Sequence, residues 1–266
     1  MSPTIPPYVS GHQLLADKSV LITAAAGAGI GFSAAQRAVE EGARAVVISD
    51  VHEGRLSEAT ERLQSINGQC VVRGFLADVT DEKAVQNLVA SAEQVTNGVD
   101  ILINNAGLGG TKNLVDMTDD EWHRVMRVNL DGAFYTAQVA VRHMVAAGNG
   151  GAVVFTTSGS AYYGQARGQH YGASKAGVIS MMKAIAVEHA RHGIRCNAIL
   201  PGWIESEMTE AALGWDTFIA KVLPRVPLRR WGDPNDFSGI AAYFASDASK
   251  YHTGDVITID GGYHSF

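Results

Sequence analysis

The sequence predicts an α/β protein: a single domain whose seven-stranded, mainly parallel sheet is doubly wound by helices on both faces. Three observations carry this prediction. Short β-branched or apolar runs alternate along the chain with longer stretches of helical apolar spacing. A glycine-rich turn, Thr23-Ala24-Ala25-Ala26-Gly27-Ala28-Gly29-Ile30-Gly31, joins the first such run to the first such helix. The length, 266 residues, suits one α/β domain with a substantial core. Repeated strand–helix units joined right-handedly give a parallel sheet, and ligands in such sheets bind beyond the strand carboxyl ends, near the switch in strand order.

Residues 1–17 contain Pro3, Pro6 and Pro7 and lack a basic start before an apolar core, so they read as an N-terminal extension and not as a secretory signal. The domain is then 18–266. Its first strand spans 19–23, and a helix follows over 30–41 with Gly42 as its stop. A strand at 45–50 leads to a helix at 53–65. A strand at 69–76 leads to a helix at 81–95, with Asp81 near its start. After a strand at 101–103, one long helical pattern covers 119–147. Val153-Val154-Phe155-Thr156-Thr157 is a buried strand, and helical spacing resumes over 173–192. A strand at 195–200, a helix at 234–246 and a strand at 256–259 complete the chain. No repeat of solenoid period and no low-complexity segment interrupts it.

Hydrophobic residues make up 46% and charged residues 18%, an ordinary balance for a soluble enzyme. The net charge of −6 gives no reason to expect nucleic acid as a partner. Cys70 and Cys196 lie far apart and outside metal-like spacing, which points to a reducing cytoplasm and away from disulfides. No apolar stretch is long enough to span a membrane. His189 and His192 lie one turn apart beside Glu188, but no further ligand is evident, and no metal site is expected. Arg124, Arg127 and Arg142 read as a solvated helix face, with contact to an acidic carrier protein or a CoA phosphate as the weaker alternative.

The chemistry-bearing residues cluster after the fifth strand. Tyr171 and Lys175 are four apart and share one helix face. A phenol titrates near pH ~10, and a neighbouring ammonium lowers that value, which would make Tyr171 a usable acid or base. Ser158, thirteen residues before Tyr171, can aim a hydroxyl into the same space. The glycines of the 23–31 turn would let backbone approach a pyrophosphate at a helix N-terminus. Asp50 ends the second strand, where a carboxylate can accept from ribose hydroxyls and would repel a 2′-phosphate; capping of the next helix is its other reading.

These residues resemble the short-chain dehydrogenase/reductase family: Tyr-x-x-x-Lys at Tyr171 and Lys175, the serine in register at Ser158, and a glycine-rich turn after the first strand. The likeness covers about residues 18–262 and is greatest to 3-oxoacyl-thioester (acyl-carrier-protein) reductases. It implies a Rossmann-type fold and catalysis by Asn129, Ser158, Tyr171 and Lys175. In that scheme Asn129 holds a water that links Lys175 to solvent. The family's turn is Thr-Gly-x-x-x-Gly-x-Gly; here the segment is one residue longer and alanine stands where the first glycine is expected, while Gly29-Ile30-Gly31 is intact. Thr23, Gly27, Gly29, Ile30 and Gly31 would hold the cofactor phosphates. Asp50 would hold the ribose, Asp78-Val79 would flank the adenine, and Asn105-Ala106-Gly107 of the Asn-Asn-Ala-Gly motif would line the cleft. Lys175 would also hold the nicotinamide ribose, next to Tyr171. Pro201, Gly202, Ile204 and Ser206 would meet the nicotinamide.

Asp50, followed by Val51 and not arginine, predicts NAD in preference to NADP. The resemblance further implies a substrate lid over 206–226, with Met208, Leu213 and Trp215 in the pocket beside Tyr163, Gln165, His170 and Trp203. A bulky apolar substrate such as a 3-oxoacyl or 3-hydroxyacyl thioester on CoA or a carrier protein is the expectation. A hydroxysteroid or polyol is the alternative within the class. A non-catalytic NAD(H)-binding redox sensor and an oligomeric scaffold are the readings outside it. Relatives commonly pair their long helices, which implies a homodimer or homotetramer.

Overall fold

The computed structural model describes residues 12–265. The strands are β1 (Ser19–Thr23), β2 (Ala45–Asp50), β3 (Val71–Leu76), β4 (Ile101–Asn104), β5 (Gly151–Thr156), β6 (Ile194–Pro201) and β7 (Val256–Ile259). They form one seven-stranded sheet in the order β3-β2-β1-β4-β5-β6-β7. Every pairing is parallel, so the sheet expected to be mainly parallel is wholly so among the described residues. The order reverses between β1 and β4, which leaves a crevice above their carboxyl ends.

The helices are α1 (Ile30–Glu40), α2 (Glu53–Gln64), α3 (Glu82–Thr96), α4 (Asp119–Met126), α5 (Gly132–Ala147), α6 (Gln169–His189), α7 (Glu210–Leu213), α8 (Asp216–Val222) and α9 (Ser238–Ala245). Period-two alternation in β1 sends Val20 and Ile22 to one face and Leu21 to the other. The first face packs against α1, α2 and α9 through residues such as Ala34, Ala38, Leu63 and Phe244. The second packs against α3, α5 and α6 through Val85, Leu88, Ala140, Val178 and Met182. Runs buried on both sides are why the strands read as continuous apolar segments.

The structure departs from the expected elements in two places that bear on function. The single helix expected over 119–147 is opened by a π-turn at Arg127–Asp131, with Asn129 at its centre. Helical spacing continues through such a turn, so periodicity alone does not show it. The helix expected from 173 begins at Gln169, which places Tyr171 in the first turn of α6. The expected N-terminal extension is described in its last residues alone. Residues 1–11 lie outside the described residues, but His12–Asp17 pack on the body.

Leu15 in that segment is 1% exposed, and Ala16 bridges antiparallel to Ala43. Glu41 Oε2 accepts the backbone N–H groups of His12 at 2.7 Å and Leu14 at 2.9 Å, while Oε1 accepts from Arg37 Nε at 2.8 Å. Burial pushes the Glu41 carboxyl up, but the two backbone donors and Arg37 outweigh it, and the net shift is downward. A lowered carboxylate contributes stability above its unfolded value and loses it as pH falls through its folded value. Replacing Leu15 with Ala is therefore expected to lower the unfolding free energy by about 2–5 kcal/mol, measured by urea denaturation. Glu41→Gln should also destabilise at neutral pH, by an amount that shrinks below pH ~4. Wild-type stability in Leu15→Ala would show that 12–17 is a dispensable tail.

Candidate active site

The site begins where three strands end. Thr23, the last residue of β1, accepts through Oγ1 from the backbone N–H groups of Asn105 at 2.9 Å and Ala106 at 3.0 Å. Asn105 Nδ2 donates back to the carbonyls of Thr23 at 3.2 Å and Ala24 at 3.0 Å. Its Oδ1 accepts from Thr156 Oγ1 at 3.0 Å. One amide thus ties β1, β4 and β5 together under a cleft of about 1780 Å³.

On one side of this knot lies the glycine-rich turn. Gly29 caps α1 with no side-chain hydrogen bond, and no acidic residue stands in the first turn. Positions where Gly27 and Gly29 would carry a Cβ have no atom within 4 Å, so the backbone is bare there. Unpaired N–H groups at the positive end of α1 suit a pyrophosphate, and the residues present fit a dinucleotide. Gly31 serves packing: a Cβ would run into Asn105 Nδ2 and lie 2.7 Å from the Ala24 carbonyl. Ala24 itself has φ +51°, the left-handed region where glycine is at ease, which is the physical reason a glycine is expected there.

Asp50 stands where both readings of the sequence would need it, at the end of β2 on the cleft and just before α2. Its Oδ1 accepts from Val51 N at 2.8 Å and from His52 N, the residue capping α2, at 3.1 Å. The same side chain lines the cleft, as do Asp78 and Val79. Asp78 Oδ1 is held by Thr80 N and Oγ1, each at 2.8 Å. Ala106 and Gly107 reach the wall, whereas Thr23 and Asn105 brace it from behind. At the other end Gly202 faces the cleft, while Pro201 and Ile204 sit behind it. The Ser206 hydroxyl is engaged by Thr209 Oγ1 at 3.0 Å, and Thr209 is the one that lines the cleft.

The structure brings Ser158, Tyr171 and Lys175 together. Ser158 follows β5 in extended backbone, and both it and Tyr171 open on the cleft. Lys175 is 4% exposed, donates from Nζ to the Thr156 carbonyl at 2.9 Å and lies 5.9 Å from the Tyr171 ring centroid. Burial pushes the Lys175 ammonium down to about 8. Burial pushes the Tyr171 phenol up, and the hydrogen bond from Ser158 offsets only part of this. The expected depression of the phenol by Lys175 is not found: the net shift is upward, and Ser158 supplies the one opposing contribution. Asn129 anchors the loop after β4: its Oδ1 accepts from Leu108 N at 2.7 Å, and Nδ2 donates to Leu108 O at 3.0 Å and Ser174 Oγ at 3.1 Å. It has no hydrogen bond to Lys175; Gly107 separates them, and a Cβ there would sit 3.1 Å from Nζ and 3.6 Å from Asn129 Oδ1.

Of the expected pocket residues, Tyr163, Gln165, Trp203, Met208 and Trp215 line the cleft, and His170 and Leu213 do not. Because α6 starts early, His170 is turned inward, with Nδ1 accepting from Tyr171 N at 3.0 Å and the ring backed against Gly110. Leu213 ends α7 off the wall. Arg124 and Arg127, expected on a solvated face, are exposed but stand at the cleft rim. Sequence reasoning missed Arg55, Glu207, Arg225, Tyr263 and His264, whereas Phe218 of the expected lid does line the cleft.

The same arrangement of sheet and cleft recurs in known proteins. The family described as enoyl-(acyl carrier protein) reductase matches residues 24–264. A (5R,7aS)-5-hydroxy-7a-methyl-1-oxo-2,3,5,6,7,7a-hexahydro-1H-indene-carboxyl-CoA reductase of Mycobacterium tuberculosis is 39% identical over 96% of each chain. The 3-oxoacyl-[acyl-carrier-protein] reductase FabG of Thermotoga maritima is 37% identical over 93% of this chain and 98% of its own. A gluconate 5-dehydrogenase from Burkholderia cenocepacia J2315, solved with NADP and tartrate, superposes with a TM-score of 0.89 at 31% identity, over 96% and 98% of the two chains. The fold and site define a nicotinamide-dependent oxidoreductase of alcohols and ketones. The chain belongs to the short-chain dehydrogenase/reductase family, with 3-oxoacyl reductases among its relatives. No helix among the described residues is long and apolar enough to cross a membrane.

The turn gives a paired test. Ala24→Gly should raise stability by about 0.5–1 kcal/mol by relieving the left-handed alanine. Gly31→Ala should lower it by about 1–3 kcal/mol through overpacking on Asn105, and should weaken dinucleotide binding measured by calorimetry. An indifferent Gly31→Ala would contradict the close approach.

Proposed function

We propose that the protein reduces a ketone, or oxidises the matching secondary alcohol, on a bulky and partly apolar substrate, with NAD(H) preferred over NADP(H). A 3-oxoacyl thioester is the favoured substrate class. The carrying observation is Ser158, Tyr171 and Lys175 converging at one end of a dinucleotide-sized cleft. The bound nicotinamide supplies or accepts the hydride. Tyr171 gives its proton to the carbonyl oxygen during reduction or takes the hydroxyl proton during oxidation. Ser158 hydrogen-bonds that oxygen as its charge changes. A phenol held above its ordinary value stays protonated at neutrality, which favours the reductive role.

The apolar reading rests on the lid flank. Trp203 meets Phe218 edge-on at 4.8 Å, Phe218 stacks on Trp231 at 6.2 Å, and Met208 crosses to Gly109. The thioester reading rests on two relatives that act on CoA or carrier-protein substrates. It also has support from Arg124 and Arg127, neither of which has an ion-pair partner among the described residues. The NADP-bound gluconate enzyme favours a second reading, a polyol or sugar acid with the larger cofactor. Against the larger cofactor, the Asp50 carboxylate lines the cleft, and Arg55, five residues on, is paired with Glu207 at 2.6 Å. Exposed Phe134 on α5 and Val187 on α6 support self-association through these helices.

Tyr171→Phe should lower turnover about 10²–10⁴-fold while leaving NADH affinity within about twofold. Reduction needs Tyr171 protonated and leaves a phenolate that charged Lys175 stabilises. Its kcat/KM should therefore hold through neutrality and fall as pH rises through about 8, where Lys175 loses its proton. Normal turnover of Tyr171→Phe across acyl thioesters, steroids and polyols would defeat the scheme. For the cofactor, Asp50→Ala should weaken NADH binding, and Glu207→Gln, by freeing Arg55, should strengthen NADPH binding. Unchanged dissociation constants in both variants would refute the NAD(H) assignment.

A further inference from the structure

The cleft has a second flank, and its charge is unmatched. β7 ends at Ile259, and Asp260 organises the turn beyond it. Its Oδ1 accepts from Gly262 N at 2.9 Å, and its Oδ2 accepts from His264 N at 2.9 Å and pairs with His264 Nδ1 at 2.8 Å. Gly261 at φ +65° and Gly262 at φ +88° make the reversal possible. The turn returns Tyr263 and His264 to the cleft wall.

Tyr263 in turn fixes an arginine. The Arg225 guanidinium lies 4.5 Å over the Tyr263 ring and donates from Nη1 to its hydroxyl at 2.9 Å. The remaining N–H groups of Arg225 have no carboxylate among the described residues. Arg55 is matched with Glu207 and Arg230 with Asp236. Arg124, Arg127 and Arg167, which also line the cleft, have no ion pair among the described residues either, and what sets Arg225 apart is that Tyr263 holds its guanidinium in place. Asp260, the nearest acid in the turn, is 9% exposed and occupied by its own backbone and by His264.

The rings in between set the distance to the reacting end. Tyr163 holds its hydroxyl against Gly159, where a side chain would have no room, and Gly159 is next to Ser158. Tyr163 and Tyr263 lie 5.5 Å apart, centroid to centroid. Two rings therefore separate Ser158 from the guanidinium, a span on the order of 10 Å by ordinary ring spacing.

We propose that Arg225, held by Tyr263 and joined by His264, forms a subsite for a carboxylate at the far end of the substrate from the reacting carbonyl. The planar fork of a guanidinium matches the two oxygens of a carboxylate, and a neutral acyl tail would leave it unpaired. The inference rests on the assignment of Ser158 and Tyr171 as the reacting end. It deepens that reading: the substrate is an oxoacyl chain with a free acid terminus, whose middle part lies against the apolar lid.

The test measures equilibrium binding and does not need turnover. Oxo acids of graded chain length and their methyl esters are titrated by calorimetry into the protein saturated with NADH. At the best length the acid should bind about 10- to 100-fold more tightly than its ester. Arg225→Gln should reduce that gap to less than about threefold, leaving ester and NADH affinity unchanged. Tyr263→Phe, which keeps the ring and removes the hydroxyl, should reduce the gap by a smaller factor. Equal binding of acid and ester, or an acid preference that survives Arg225→Gln, would overturn the subsite. Displacement of the acid by inorganic phosphate at lower concentration than by acetate would overturn the carboxylate in favour of a phosphate group. Failure to reduce either acid or ester would count against the proposed function, while the binding comparison would still decide the subsite.

Discussion

The amide of Asn105 is the constraint on which the rest of the site depends. Parallel strands end with backbone groups that no ladder satisfies, and at the switch point between β1 and β4 the neighbouring strands depart to opposite sides. Asn105 closes that gap by donating to Thr23 and Ala24 and accepting from Thr156. Such bonds each contribute only about 0.5–1.5 kcal/mol net, yet leaving a buried partner unmet costs about 1–3 kcal/mol. The cofactor side and the catalytic side are therefore not independent. The Thr156 carbonyl that receives Lys175 belongs to the residue whose hydroxyl is held by Asn105. The amide that supports the glycine-rich turn also positions the lysine.

That lysine shows which effect wins in the site. Its ammonium is nearly excluded from water and has one carbonyl acceptor in reach, so desolvation governs it. The same holds for Tyr171, whose phenol rises although a hydroxyl and a cation are nearby. A cation lowers a neighbouring phenol most when it stays charged and close. Here the cation is itself weakened by burial, with its Nζ 5.9 Å from the ring centroid. In the proposed scheme this balance keeps Tyr171 protonated before reduction, and the lysine would act on the phenolate left after donation.

Much of this was legible in the sequence, for physical reasons that also mark where it stops. Strand and helix periods are local, so the sheet and its glycine-rich turn could be read directly. Tyr171 and Lys175 share a helix face by spacing alone, and Ser158 follows a strand that is apolar on both sides. What stayed hidden depends on where a helix begins or on distant segments meeting. Gly168 caps α6 without a side-chain bond, so nothing local announced the early start that turns His170 inward. The π-turn keeps helical spacing, and only an asparagine in a helix interior hinted at it. Leu15 was masked by the prolines before it. Tyr163 and Tyr263 meet across 100 positions of chain, a pairing no window can show.

The two flanks of the cleft differ in kind, and the difference comes from how each is built. The lid flank hangs on short helices, α7 and α8, fastened by aromatic contacts among Trp203, Phe218 and Trp231. Aromatic and methionine contacts tolerate displacement, so such a flank can accommodate varied apolar outlines. The opposite flank continues directly from β7 and is fixed by three contacts to one buried carboxylate and by two left-handed glycines. A guanidinium held over a ring on that rigid turn has a direction as well as a charge. Arg225 follows α8 on the lid side and Tyr263 sits on the turn after β7, so the proposed charge subsite is made where the two flanks meet.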